Sequence, residues 1–366
     1  MLADTIFYTA LTPLVPHYSA VSGLGSGGVG LLVAGYPAGT MIAALPVGVV
    51  FDRVGARRTL VVAMVLMSVS TLVFGWSHAA AVLIAARVVQ GVGGACAWTV
   101  GLAGLAGGVP AQRRGRYLGI AFSAAVAGAL LGPAFGAVAA RLGTGPVFSA
   151  AAVVAAVVAS FRGLLPDHTE PQAMSLRDVA SVARRPGISR GLWLTSLAGV
   201  GLGVLGVLAP LRLHDLGASS GVIAAGFVAG GLLEAALSPI IGRVSDRHGP
   251  SHTVVWSLLA GLLTFALVPL VTPYGVTLVF VALGSTAFGT LFVPASALVS
   301  DVTDALDAPL GLVFGLTNLM WAVGQGSASA VSGYIADATS DRVPFFAAAG
   351  LCLVSALLVT RDKEAR

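Results

Sequence analysis

Apolar stretches near the length needed to cross a membrane, about 20 residues for about 30 Å of hydrocarbon, recur along this chain from one end to the other. Twelve are counted, at 2–21, 27–50, 59–77, 79–105, 117–140, 145–165, 189–211, 219–242, 252–271, 274–299, 308–335 and 343–360. In 366 residues they leave short loops and no space for a soluble domain. Only 10% of the residues are charged and 57% are hydrophobic, whereas soluble domains carry about 25% charged residues. A mean hydropathy of +0.93 cannot be hidden inside one water-facing globule. The expected fold class is an all-α membrane protein with twelve transmembrane helices, called spans 1 to 12 below. No basic region precedes the first stretch, so it reads as a retained helix and not as a cleaved signal.

The charges that remain are sorted by side. Numbering loops from span 1, one face collects Arg53, Arg57, Arg58, Arg113, Arg114, Arg116, Arg162, Arg177, Arg184, Arg185, Arg190, Arg243, Arg247, Arg361, Lys363 and Arg366. The other face holds Arg141, Arg212 and Arg342. Basic loops stay in the cytoplasm, so both termini are expected there, in the inner (plasma) membrane of a bacterial-type cell. The net charge of +5 thus reports orientation, and no nucleic-acid partner is expected. Cys96 and Cys352 lie inside spans without metal-type spacing, and the histidines are scattered; neither a metal site nor a cofactor is expected. Gly201, Gly203 and Gly206 match a dinucleotide-binding pattern, but within an apolar 20-mer with no strand before it.

A second constraint is internal duplication. The segment Gly48–Arg58, GVVFDRVGARR, returns as GRVSDRHG at Gly242–Gly249, each copy directly after an apolar run. The shared frame is Gly-x-x-x-Asp-Arg-x-Gly, with Gly48, Asp52, Arg53 and Gly55 in one copy and Gly242, Asp246, Arg247 and Gly249 in the other. Gly119-x8-Gly128 in span 5 is echoed by Gly315-x8-Gly324 in span 11 at nearly the same offset. The longest polar stretch, 166–188, contains Pro166, Pro171 and Pro186. It reads as a cytoplasmic linker between an N-terminal six-helix bundle (1–165) and a C-terminal one (189–366). Two like halves suggest parallel repeats about an axis normal to the membrane, with a cavity between them at mid-depth.

These residues carry a resemblance over the whole chain to the major facilitator superfamily (MFS), and within it to the drug:proton antiporter families. GVVFDRVGARR matches that superfamily's signature after the second helix. Arg87-Val-Val-Gln90-Gly91 resembles its Arg-x-x-Gln-Gly motif in helix 4. Span 5 reads Gly119-x8-Gly128-x3-Gly132-Pro133-x2-Gly136, which resembles the antiporter motif, although Ala137 replaces its final glycine. Span 1, MLADTIFYTALTPLVPHY, is similar to the first helix of drug and amine exchangers, with Asp4 upstream of Pro13 and Pro16. The resemblance implies two pseudo-symmetric six-helix halves, a cytoplasmic latch at the repeated turn, export over import, and an Asp4 that contacts protons or cationic substrates. The chain begins three residues before Asp4. Either span 1 is short and Asp4 lies at the cytoplasmic surface, or the given start is late.

The residues themselves support physical roles. Asp52 ends span 2 near the expected start of span 11, where a carboxylate beside a helix N-terminus is favourable. Arg53, Arg57 and Arg58 can pair with it, or with Asp301 and Asp304, to close the cytoplasmic gate in one state. The glycines of span 5 permit close packing, and Pro133 bends the helix, although ordinary packing also explains them. Charges inside the membrane are the candidates for coupling, because each is costly there. Arg87 must face the interior or a wet cavity, either beside an ionised carboxylate or in a structural bond to Gln90. Glu234 lies in span 8, well inside the membrane; burial disfavours its ionised form, which suits proton exchange or handling of a cationic substrate. Gln90, Asn318 and Gln325 could line a cavity or bond neighbouring helices. Trp98 and Trp321 could be cavity walls or packing, whereas Trp76 and Trp193 read as interfacial anchors.

The sequence therefore predicts a non-enzymatic secondary transporter that acts as a monomer in the bilayer, coupling protons to the export of a small amphipathic or cationic compound. A proton symporter that imports a sugar or organic acid is the alternative. A membrane-embedded enzyme would need a nucleophile–base or metal-ligand set, and a sensor would need an output domain. Neither is found in the sequence.

Overall fold

The computed structural model describes residues 1–44, 46–47, 54–107, 111–160, 181–296, 298–299 and 310–364, and among these every extended element is a helix. Gly48, Asp52, Arg53, Asp301 and Asp304 lie outside the described residues, as does the linker up to residue 180. Among the described residues nine helices are long and apolar enough to cross a membrane: Ser26–Ala44, Arg57–Trp76, Ala80–Leu102, Gly119–Leu142, Pro186–Asp215, Ser220–His248, Pro250–Leu267, Tyr274–Ser296 and Arg342–Thr360. They are spans 2 to 5, 7 to 10, and 12.

The other three expected spans are also helical among the described residues, and one of them is broken. Span 6 is described as the helix Thr144–Ser160, and residues 161–165 of the expected stretch lie outside the described residues. Span 11 is the helix Leu310–Ala338. Span 1 is not one helix, which corrects the single stretch read from hydropathy. It runs as Leu2–Thr9, a 3-10 turn at Thr12–Leu14, and a second helix Val15–Ser22 that ends at the left-handed Gly23. Pro13 and Pro16 explain the break, because each removes a backbone donor and clashes with the preceding turn. Span 5 is longer than expected, a continuous helix Ala111–Leu142 with Pro133 inside it.

Packing joins the spans into one bundle around a central space. Span 2 lies against spans 4 and 11, span 7 against 11, span 5 against 1 and 8, span 3 against 4 and 6, and span 9 against 10 and 12. The 2–11 and 5–8 contacts connect the first six helices with the last six. Val62, Val153, Leu263 and Leu358, on spans 3, 6, 9 and 12, are more than half exposed. Such an outward apolar surface suits hydrocarbon and not water. Trp76 and Trp193 are likewise exposed at span ends, as expected of interfacial anchors.

Two packing details bear on function. Gly128, Gly132 and Gly136 form a ridge on span 5 at successive turns, and a Cβ at any of them would collide with span 1, at Leu2, Thr9 and Ala10 respectively. The ridge holds the broken helix against span 5 by direct backbone approach. Gly119 does not share in this: a Cβ there would meet nothing within 4 Å. At the far ends of the 2–11 pair, the Gly27 N–H donates to Asp337 Oδ2 at 2.7 Å. Asp337 thereby satisfies one of the free donors at the start of span 2.

Candidate functional site

The break in span 1 creates the first half of the site. A helix that stops at Thr9 leaves its last carbonyls without helical partners. Arg87 of span 4 takes two of them: Nη1 donates to Phe7 O at 3.2 Å and Nη2 to Tyr8 O at 3.4 Å. Nη1 also donates to Gln90 Oε1 at 2.9 Å, and Gln90 Nε2 donates to Thr71 Oγ1 at 3.1 Å. The guanidinium lies 5.2 Å from the Tyr36 ring centroid and 5.9 Å from that of Tyr8. This aromatic, carbonyl-lined setting lets a cation with 1% exposure remain inside the bundle. Arg87 has the expected bond to Gln90 and lines a cavity, and among the described residues its hydrogen-bond partners are two carbonyls and an amide, not a carboxylate.

Asp4 is buried, at 2% exposure, so it does not lie at the surface and that alternative is corrected. The Tyr36 hydroxyl donates to Asp4 Oδ1 at 2.7 Å, and Trp98 Nε1 donates to Oδ2 at 2.9 Å. Helices 2 and 4 thus supply the donors that compensate the carboxylate for lost water. Trp98 is therefore a hydrogen-bond donor as well as a packing group.

The second half closes over the first through aromatic and amide contacts. Trp321 of span 11 stands edge-on to Tyr8, with centroids 5.5 Å apart, and Tyr8 meets Tyr36 at 4.9 Å. Gln325, one turn beyond Trp321, donates from Nε2 to the Tyr8 hydroxyl. Its Oε1 is buried without a hydrogen-bond partner among the described residues.

Between the halves lies a cavity of about 240 Å³. Thr5, Tyr8, Thr9 and Thr12 of span 1 line it, with Arg87 of span 4 and Pro133 of span 5. The opposite wall comes from Phe227 and Glu234 of span 8, Ser285, Gly289 and Phe292 of span 10, and Gln325 of span 11. The Glu234 carboxylate rests directly on Gly289, in space that any Cβ at that position would occupy. Among the described residues no hydrogen-bond donor or cation pairs with this carboxylate. Thr5 and Thr9 donate their hydroxyls to the backbone four residues earlier, so they offer the cavity acceptor oxygens only.

The structure thus brings Glu234, Arg87 and Gln325 to one cavity and places Asp4 and Gln90 directly behind its wall. Asn318 does not line it, although among the described residues its Nδ2 is buried without a hydrogen-bond partner. Sequence reasoning did not single out Tyr8, Tyr36, Ser285 or Gly289. A tyrosine deep in an apolar run was the available signal for the first two.

At the repeated turn the described residues are Gly55, Arg57, Arg58, Gly242, Asp246, Arg247 and Gly249. Gly55 and Gly249 both have positive φ and directly precede the helices of spans 3 and 9. Arg58, Asp246 and Arg247 are exposed, and Gly242 is half-buried. Among the described residues there is no cluster of three or more potential metal ligands, and Cys96 and Cys352 are free and buried.

Comparison with known proteins places this geometry. Residues 1–190 and 191–366 each match the family described as Major Facilitator Superfamily. An uncharacterized MFS-type transporter, C18.02, of Schizosaccharomyces pombe is 29% identical over 126 residues, covering 32% of this chain and 28% of that protein. The match therefore spans well under a third of the relative's length. The solved nucleoside transporter NupG superposes with a TM-score of 0.73 at 15% identity, over 98% of this chain and 96% of its own. A bacterial homolog of the human lysosomal transporter Spinster, inward-facing and unoccupied, gives 0.75 at 15%, over 98% and 94%. At such identities these two likenesses concern the fold.

Proposed function

Because the chain belongs to the Major Facilitator Superfamily, we propose that it is a secondary transporter that exchanges protons for a small amphipathic or cationic organic compound, moving that compound out of the cell. The observation that carries this reading is the unpartnered Glu234 carboxylate in the cavity between the halves. An ionised carboxylate closed off from water is costly. Binding a proton or a cationic cargo removes that cost, so only a neutralised site passes freely through the occluded state. The two ligands then compete for one group, and the halves shift toward whichever side the bound ligand favours.

Other features support the same account. The span 5 glycine ridge seals the wall nearest the broken helix, which limits ion leak. Arg87 and the hydrogen-bonded Asp4 sit where a change at Tyr8 or Tyr36 reaches them directly. In this reading residues 1–165 and 189–366 are the moving halves and 166–188 their linker. Both termini lie in the cytoplasm, the chain acts as a monomer in the inner membrane, and the repeated turns form the cytoplasmic gate.

One observation favours a second reading, proton symport of a sugar or organic acid. The cavity carries Arg87 and the acceptor hydroxyls of Thr5 and Thr9, a more polar wall than hydropathy suggested. The discriminating experiment is a substrate screen in inverted vesicles under an imposed pH gradient. Export predicts accumulation of cargo in vesicles whose interior is acidic. Accumulation only when the gradient is reversed would replace export with import.

A further inference from the structure

The central cavity holds polar atoms that the chain leaves unpaired. Gln325 is 2% exposed and Ser285 7% exposed, and both line the cavity. Among the described residues neither Gln325 Oε1 nor Ser285 Oγ has a hydrogen-bond partner. A buried acceptor without a donor is costly, so the site gains from a ligand that supplies one. The contact between spans 8 and 10 sets Ser285 near Glu234. A Cβ at Gly230 would come within 3.0 Å of Ser285 Cβ, and one turn further along both helices the Glu234 carboxylate rests on Gly289. The Gln325 end differs in charge. Its amide meets the Tyr8 hydroxyl, and the Arg87 guanidinium lies 5.9 Å from the Tyr8 ring centroid. Arg87 spends both Nη atoms on carbonyls and an amide, leaving Nε without a partner among the described residues. With Thr5 and Thr9 counted, free acceptors outnumber free donors. Between the two ends the wall is apolar, at Val33, Leu202, Phe227 and Phe292.

We propose that Gln325 and Ser285 select cargo by its hydrogen-bond donors. The cargo is a small ammonium compound with N–H groups at its charged end, a short apolar middle, and a neutral hydroxyl or amide N–H at its other end. The ammonium gives one N–H to Glu234 and another to Ser285. The neutral donor meets Gln325 Oε1, where Arg87 opposes a second positive charge. A quaternary ammonium ion, or a lipophilic cation without such hydrogens, leaves all three acceptors unmade and is rejected. The cavity volume of about 240 Å³ is below the about 300–1,000 Å³ usual for drug-sized ligands, which keeps the cargo small. Seating the charged end at Glu234 rests on the function proposed above; selection by donors at Gln325 does not.

The test measures equilibrium binding to the full chain in nanodiscs by isothermal titration, with no pH gradient. The probes are linear amino alcohols of increasing chain length, alkylamines of equal length and the corresponding alkyltrimethylammonium ions. The best-fitting amino alcohol is expected to bind about tenfold tighter than its alkylamine, and the trimethylammonium ion about tenfold weaker again. Gln325→Leu should make amino alcohol and alkylamine bind alike. Tyr8→Phe, which removes the partner of the amide nitrogen and keeps Oε1, should preserve their ratio. Ser285→Ala should weaken both amines about fivefold and leave the trimethylammonium ion unchanged. Glu234→Gln should weaken both amines and keep their ratio; unchanged affinities with that ratio kept would overturn the Glu234 reading alone. Equal binding of the three probe types, a hydroxyl preference that survives Gln325→Leu, or no binding of any amino alcohol overturns the proposal.

Discussion

Gly55 and Gly249, which close the two copies of the repeated turn, hold the same backbone conformation: φ 88° and ψ 156° in the first, φ 81° and ψ 154° in the second. This region of backbone space is open essentially to glycine alone. At this closing glycine the duplication read from the sequence is matched by backbone conformation, and each glycine turns the chain into the next span. Alanine at either position should destabilise the protein by about 1–3 kcal/mol. Thermal unfolding in detergent would measure it, with the two variants expected to lose similar amounts.

The span 5 motif divides into members that pack and one that does not. Gly132→Ala drives a methyl group into Thr9 of span 1 and should cost about 1–3 kcal/mol through overpacking. Gly119→Ala meets open space and should be neutral, or stabilising by about 0.5–1 kcal/mol from helix propensity. Melting temperatures of the two variants in the same detergent should therefore move in different directions, or one should not move at all.

Asp4 accepts from both Tyr36 and Trp98, so Asp4→Ala strands one buried and one half-buried donor. The expected loss is about 1–3 kcal/mol for each donor left unmade. A double-mutant cycle with Tyr36→Phe should return a coupling energy of about 0.5–3 kcal/mol. Additive effects would show that the pair is not a working unit.

Asp337 holds the start of span 2 from span 11, at the end of the bundle away from the repeated turns. Asp337→Asn weakens a carboxylate–helix interaction worth about 0.3–1 kcal/mol. Opening at that end should become about two- to fivefold more frequent. A cysteine introduced at Val33, which lines the cavity, should then be labelled faster from that side, against native cysteines that are both buried.

How much the sequence disclosed depended on which quantity each feature needs. The helical spans and the duplication rest on hydropathy and the repeated Gly–Asp–Arg–Gly frame, both of which are linear along the chain. That Glu234 and Arg87 line the cavity was legible because a charge in a membrane span must face something polar. The partners of Asp4 were not legible, because Tyr36 and Trp98 lie on other helices whose facing hydropathy does not reveal. The break in span 1 was signalled by Pro13 and Pro16, but its consequence, carbonyls of Phe7 and Tyr8 offered to Arg87, appears only when span 4 is in place. Gly289 was invisible for the same reason, being one glycine among 48 until Glu234 is found resting on it.

The central claim is that Glu234 is the group through which protons drive cargo. Inverted vesicles carrying wild type or Glu234→Gln, given a cargo from the screen and an imposed pH gradient, test it most directly. The account predicts that Glu234→Gln abolishes gradient-driven accumulation while cargo-for-cargo exchange persists. Gradient-driven accumulation equal to that of wild type would contradict it.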